Sequence, residues 1–142
     1  MNETMEKFGW PATTVHELEH WAVLARPAQP TLGSLILAAK DDATAFSHLP
    51  PAAYRELQQA TAAIEAALTR AVEYARINYL MLMMVDPHVH FHVIPRYEGT
   101  REWNGREFVD VGWPKVPDLG HAVALEGDEL GALVAWLKGF FG

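Results

Sequence analysis

The sequence contains no cysteine, which excludes disulfide bonds and zinc sites built on thiolates. This absence also fits a reducing compartment, so we expect the protein to be cytoplasmic. Basic residues are in the minority, with 11 Lys and Arg against 18 Asp and Glu, and the net charge of −7 argues against a general nucleic-acid binder. Net charge does not describe a single site, and a local basic pocket for one phosphate group remains open.

Long apolar runs are missing as well. The longest, residues 80–85, is far too short to span a bilayer, and the first ten residues, MNETMEKFGW, lack the basic and apolar regions of a signal peptide. We therefore expect no membrane partner. Half of the 142 residues are apolar, which suits one domain over residues 1–142 with a core of its own.

The spacing of apolar residues predicts one long helix. Over residues 51–76 they recur at intervals of three and four, as in Ile64, Leu68 and Val72. Pro51 stands where a helix can begin without losing a needed N–H group. Two further helices are expected, over residues 15–20 and 126–141.

Short apolar runs predict strands, and the combination with the helices indicates an α+β fold. Asp86-Pro87 can turn the chain between the last two strands, which should then pair antiparallel, and Pro95 is expected to end the second of them. Residues rich in Gly, Pro and Trp after that point predict a loop over 97–120. The predicted strands cover residues 21–25, 32–38, 77–85 and 88–94.

The stretch DPHVHFHVIPR places three histidines, His88, His90 and His92, at alternate positions. Because successive side chains of a strand point to opposite faces, the three imidazoles are expected to share one face, with alternate Cα atoms about 7 Å apart. The intervening apolar residues should face the long helix. They are Val89, Phe91 and Val93.

Three interpretations compete for this row of imidazoles. It can be an exposed polar face, although Thr, Lys, Glu and Arg are commoner choices there. It can be a metal site, since imidazole is a common ligand of zinc and similar ions. It can also serve nucleophilic catalysis at phosphorus, because a neutral imidazole, with an ordinary pKa of about 6.5, is a free nucleophile at neutral pH. The spacing alone does not separate the metal site from the nucleophile.

The segment HVHFHVIPR resembles the signature of the histidine triad (HIT) superfamily, in which three histidines alternate with apolar residues. Residues 21–39, WAVLARPAQPTLGSLILAA, resemble the first two strands of that family, and the predicted long helix follows where the family has one. The resemblance covers residues 21–97 and leaves 98–142 as a C-terminal extension. It implies an α+β meander of antiparallel strands with a long helix, commonly a homodimer.

The resemblance also implies an activity, that of a nucleotidyl hydrolase or transferase. His90 would attack the α-phosphorus of a nucleoside phosphoramidate or a dinucleoside polyphosphate and form a covalent nucleotidyl-histidine. His92 would contact the phosphate, and His88 would help to orient His90, whose other ring nitrogen should donate to a main-chain carbonyl. No metal or other cofactor is implied, apart from Mg²⁺ carried by a polyphosphate substrate.

The sequence departs from the family pattern at several places. Residues 83–87 run directly into His88 without the Gly-Gln element that holds the phosphate in many members. Ala25 and Ser34 stand where an Asn and a His are common, and the zinc-binding cysteines of some members are absent. Two alternatives therefore remain open: a nucleotide-binding module without turnover, and a metal-dependent hydrolase that uses the three histidines as ligands.

Further substrate-binding residues are predicted around the triad. Arg96 follows the triad strand and is predicted to pair with a phosphate, although a surface arginine fits equally well. A base pocket is expected between the first strands, with a core role as the alternative for its three residues, Trp21, Val23 and Leu35. Other residues predicted to close over the site or to bind phosphate, unless they anchor the extension, are Trp103, Phe108, Trp113, Arg101 and Arg106.

Overall fold

A computed structural model describes all 142 residues of the chain. Its helices are α1 (Glu3–Lys7), α2 (Pro51–Val72) and α3 (Gly127–Lys138), and a single 3-10 turn covers Phe46–His48. Its strands are β1 (Thr14–Glu17), β2 (Trp21–Ala25), β3 (Ala28–Gln29), β4 (Leu35–Ala39), β5 (Arg76–Leu80), β6 (His90–Arg96), β7 (Thr100–Trp103), β8 (Arg106–Val109) and β9 (Val123–Ala124).

The main sheet has five strands in the order β1-β2-β4-β6-β5, and every neighbouring pair is antiparallel. The predicted α+β fold, with an antiparallel sheet, a long helix and a C-terminal helix, is confirmed. The last two strands exchange places relative to a simple meander, because β6 rather than β5 lies beside β4. Two small sheets complete the fold, β3 with β9 and β7 with β8.

The two faces of the main sheet carry different apolar clusters. One face packs against α2 and α3 and forms a core of 21 buried residues, including Ile64 and Leu68 of the long helix. The other face is covered by the N-terminal segment, where Met5 packs against Leu24 and Ile36. Each large aliphatic side chain buried in this way stabilises the fold by about 1.5–3 kcal/mol. None of the three helices combines the length and the apolar composition that a membrane span requires.

The long helix begins where the sequence predicts and ends four residues early. Pro51 occupies its first turn, where a missing N–H group is harmless. Glu73 adopts a left-handed conformation, with φ 49° and ψ 54°, and its N–H group donates to the carbonyl of Thr69. A left-handed residue after the last turn is a common way to stop a helix, and it frees the chain to enter β5 at Arg76.

The N-terminal region differs from the prediction. Residues 15–20 do not form a helix, because residues 14–17 form β1 and pair with β2. The short helix lies earlier, at α1, where the side chain of Asn2 accepts a hydrogen bond of 2.9 Å from the N–H group of Met5. Asn2 is therefore the N-cap of α1, a role that Asn fills well.

The strands around the triad are also shifted. β5 ends at Leu80, and residues 81–89 form a loop that includes Met83 with φ 40°. β6 begins at His90 and continues through Pro95, which was predicted to end it. Pro95 is tolerated because β4 pairs with β6 only as far as Val93, so a single strand flanks the proline.

The segment predicted as a loop, residues 97–120, contains a hairpin. β7 and β8 are joined by Asn104 and Gly105, with φ of 53° and 76°. Positive φ at both central residues is typical of the tight hairpin turn that Asn-Gly favours. The extension joins the main core, since Phe108 and Leu133 belong to the cluster under the sheet.

Candidate active site

His90 is the first residue of β6 and is only 1% exposed. Its Nδ1 lies 2.7 Å from the main-chain carbonyl of His88. A carbonyl oxygen only accepts, so Nδ1 must donate, and the neutral ring keeps its lone pair on Nε2. The hydrogen bond that the family resemblance implies is therefore present, and it fixes which nitrogen of His90 carries the lone pair.

His92 lies on the same face of β6 and is 7% exposed. The centroids of its ring and the His90 ring are 5.2 Å apart, in an edge-to-face arrangement. Burial, together with the charges of Arg26 and His90, lowers the pKa of His92 to about 4. His92 is therefore neutral at physiological pH and can offer one ring N–H group as a donor.

His88 does not share the strand of the other two histidines, because it lies in the loop before β6. Its Nδ1 is 2.9 Å from the hydroxyl of Thr4. The main-chain carbonyl of His88, rather than its ring, contacts His90. The prediction that the three imidazoles form one row is thus correct for two of them.

The N-terminal segment covers the two buried imidazoles. The ring centroid of Phe8 lies 5.9 Å from that of His90 and 5.8 Å from that of His92. Lys7 donates to Asp86 of the loop before β6, with an ion-pair distance of 2.8 Å. Sequence reasoning missed this segment, since no short-range pattern indicates that α1 returns to the triad.

A cavity of about 220 Å³ opens onto the imidazoles. A second cavity, of about 210 Å³, lies on the other side of Lys7 and includes Phe8 and Arg26. Arg26 follows β2 directly and was also missed, although polar residues at strand ends are frequent site residues. The residues that line the first cavity are Lys7, Leu82, Met83, Met84, Val85, Asp86, His90 and His92.

Arg96 was predicted to bind a phosphate, and the structure contradicts this. Its guanidinium group is buried and donates two hydrogen bonds to Asp110, of 2.7 and 3.0 Å. A third donor group contacts the side-chain oxygen of Asn78 at 2.8 Å. The N–H groups of the guanidinium are thus used in a bidentate ion pair, which connects β6 to the residues after β8.

The predicted base pocket is also wrong. Trp21, Val23 and Leu35 are fully buried in the core on the helix side of the sheet, opposite to His90 and His92. The indole N–H group of Trp21 donates to the carbonyl of Ala53 in α2 at 2.7 Å. These three residues hold the sheet to the helix and do not line the site.

The aromatic and basic residues of the extension anchor it instead of closing over the triad. Trp103 packs against Trp136 of α3, with 5.8 Å between ring centroids, and Phe108 is buried. Arg106 pairs with Glu129 at 2.6 Å, and Arg101 donates to the carbonyl of Val72. Trp113 lines the largest cavity, about 530 Å³ along β5, which none of the three histidines borders.

The ligand atoms of the three triad histidines do not lie together within 4.8 Å of one another. The one group of three His, Asp or Glu side chains whose ligand atoms lie within 4.8 Å of one another is Glu19, His20 and Glu56, away from β6. A guanidinium group beside His92 would also repel a cation.

An antiparallel sheet with alternating histidines on an inner strand defines a histidine triad protein. The family model described as HIT domain matches residues 10–99, and the chain belongs to this family. Family membership suggests a nucleotide-binding protein with hydrolase or transferase activity. No protein of curated function matches the sequence significantly.

Solved structures of histidine triad proteins share the fold. One from Bradyrhizobium japonicum is 17% identical, with a TM-score of 0.70 over 100% of this chain and 97% of its own. One from Sinorhizobium meliloti 1021 is 23% identical, with a TM-score of 0.69 over 98% and 94%. A zinc-bound family member from Mycobacterium smegmatis is 20% identical, with a TM-score of 0.56 over 91% and 86%. At these identities the likeness concerns the fold alone.

Proposed function

We propose that the protein is a nucleotidyl hydrolase or transferase that acts through His90. Its substrate is a nucleoside phosphoramidate or a dinucleoside polyphosphate, cleaved at the α-phosphorus. The observation that carries the proposal is the hydrogen bond from Nδ1 of His90 to the carbonyl of His88, because it leaves the Nε2 lone pair beside the cavity that opens onto the ring.

In the first step, Nε2 of His90 attacks the α-phosphorus and forms a phosphorus–nitrogen bond. The bond between phosphorus and the leaving atom breaks, and its electron pair goes to that atom. A polyphosphate leaves as an anion, whereas an amine takes its proton from water. His90 becomes positively charged in the intermediate, and its Nδ1–H group then makes a stronger, charge-assisted hydrogen bond to the carbonyl of His88.

In the second step, water or an acceptor hydroxyl attacks the phosphorus of the nucleotidyl-histidine. The phosphorus–nitrogen bond breaks, its electron pair returns to Nε2 of His90, and the attacking group releases its proton to solvent. Hydrolysis yields a nucleoside monophosphate. Splitting the displacement in two makes each step easier than a single attack by water.

In this proposal, two side chains that line the first cavity bind the phosphoryl group. His92 is neutral and offers a ring N–H group to a phosphoryl oxygen, where negative charge develops. Lys7 adds a positive charge that its pairing with Asp86 holds at the cavity wall. Together they supply phosphate contacts on the N-terminal side of the triad, in a chain without the Gly-Gln element.

A second candidate function, a nucleotide-binding module without turnover, is supported by one observation. His90 is only 1% exposed, and the ring of Phe8 packs against it. A nucleophile under such a cover has little access to phosphorus unless the N-terminal segment moves. The two functions differ in a single measurable property, the release of nucleoside monophosphate.

The test is a turnover assay with adenosine and guanosine phosphoramidates, a fluorogenic aminoalkyl adenylate and diadenosine polyphosphates. We expect His90→Ala to lower turnover about 10³-fold or more, with no effect of EDTA on the phosphoramidates. His121→Ala, an exposed histidine outside the triad, is the matched control and should behave as wild type. If neither the wild type nor any variant turns over a substrate while nucleotide binding is seen in calorimetry, the result would favour the binding module.

A further inference from the structure

Arg26 is a cation with no acidic partner. It is half-buried directly after β2, and no carboxylate oxygen lies within 4.0 Å of its guanidinium nitrogens. Its Nη1 donates to the carbonyl of Ala28 at 2.6 Å, and its Nε lies 3.4 Å from Nδ1 of His92. Arg96 of β6 and Arg106 of β8 are different, because each of them pairs with a carboxylate.

The contact with Arg26 determines the tautomer of His92. A guanidinium group has only donors, so Nδ1 of His92 must accept, and the proton of the neutral ring lies on Nε2. His90 is held the other way, with the proton on Nδ1, by a carbonyl that can only accept. The two rings, whose centroids are 5.2 Å apart, thus offer a ligand different groups. His90 offers the lone pair of its Nε2, and His92 offers its Nε2–H group.

The charged and titratable groups that face His92 come from four parts of the chain. Arg26 lies after β2, Lys7 belongs to α1, and Asp86 lies in the loop before β6, with His90 on β6 itself. The two cations and His90 lower the pKa of His92, and Asp86 opposes them. A carboxylate in place of the arginine would favour the charged ring, and a carbonyl would favour the tautomer found at His90.

We propose that Arg26 is a positioning residue, which holds His92 as a neutral ring with its proton on Nε2. His92 then donates a hydrogen bond to the phosphoryl group while His90 attacks. The effect on turnover rests on the proposed function, whereas the state of the ring does not. Arg26 keeps its role without touching the substrate, because it acts through Nδ1 of His92.

The state of the ring is measured directly by NMR of protein labelled with ¹⁵N-histidine. In the wild type we expect the Nε2–H tautomer of His92 from about pH 5 to 8. Arg26→Met removes the donor and the charge, so we expect a mixture of tautomers and a pKa of His92 raised by about one unit. Arg26→Lys keeps the charge and should stay closer to the wild type. Arg55→Met, an exposed arginine near the start of α2, is the control.

Turnover of the same variants supplies the second readout. We expect Arg26→Met to lower kcat about tenfold with a smaller change in KM, since a transition-state donor is loosened while the binding contacts remain. Unchanged tautomer and titration of His92 in Arg26→Met would overturn the proposal, as would an Nδ1–H tautomer in the wild type. If neither wild type nor variant turns over a substrate, the proposed function fails and the NMR result still decides the role of Arg26.

Discussion

At the scale of single residues, the protonation of His92 links the site to the stability of the fold. An imidazole in the unfolded chain has a pKa of about 6.5, whereas burial and the charges of Arg26 and His90 lower the pKa of His92 to about 4. Between these values the unfolded chain binds the proton and the folded chain does not. The free energy of unfolding therefore falls as the pH is lowered through this window.

We expect the neutral ring of His92 to contribute on the order of 3 kcal/mol to the free energy of unfolding. This contribution is fully present above about pH 6.5 and is lost as the pH falls to about 4. Urea unfolding of wild type and His92→Gln across this range measures the contribution as the difference between their slopes against pH. His121→Gln is the control, because His121 is exposed in the structure. Parallel slopes for wild type and His92→Gln would show that His92 does not couple folding to pH.

At the scale of elements, the N-terminal segment around α1 packs over the imidazoles of His90 and His92. Phe8 lies over both rings, and the side chains of Thr4 and Lys7 tie α1 to the loop before β6. The ion pair of Lys7 is exposed and contributes about 1 kcal/mol or less. Removal of the Phe8 ring should therefore increase the exposure of His90.

We expect Phe8→Ala to increase the rate at which diethylpyrocarbonate modifies His90, measured by peptide mapping, at a cost in stability of about 2 kcal/mol. Phe141→Ala is the matched control, since Phe141 stacks on His16 outside the triad with 5.1 Å between ring centroids. Equal modification of His90 in both variants would contradict the covering role. Turnover in Phe8→Ala but not in wild type would identify the segment as the element that blocks catalysis.

The elements also indicate which features local sequence determines. The helical spacing of Ile64 and Leu68 predicted α2, and the alternation around His90 predicted β6, because each pattern lies within one element. The prediction of a base pocket was wrong because the pairing register of the strands decides which face of the sheet a side chain occupies. Leu35 lies opposite Val93, and its side chain is therefore on the helix side of the sheet. The contact between Thr4 and His88 joins residues 84 positions apart, and no local pattern encodes it.

At the scale of the whole molecule, the C-terminal extension is part of the structure that supports the site. Tyr97 is buried, its hydroxyl donates to the carbonyl of Phe108 and accepts from the N–H group of Leu32. The pair of Arg96 and Asp110 fixes the end of β6 from the same side. One domain over residues 1–142 remains a prediction, and these contacts are what support it.

The sheet leaves β5 with a partner on one side only, and this edge bears on assembly. The unpaired N–H and C=O groups of an edge strand can pair with another strand. If two copies pair through their β5 strands about a twofold axis, neither β5 strand remains an edge. Tyr79 of β5 donates to Glu65 of α2 at 2.6 Å, so the strand and the long helix form one connected surface. We therefore predict a homodimer that joins two β5 strands.

Light scattering at micromolar concentration should give twice the monomer mass of 15.8 kDa. Hydrogen exchange then locates the interface: amides of β5 should exchange faster as the protein is diluted, while those of β1, the opposite edge of the sheet, should not change. A monomer at micromolar concentration would contradict the prediction. A dimer in which the β1 amides, and not those of β5, respond to dilution would place the interface at the opposite edge of the sheet and would also contradict the prediction.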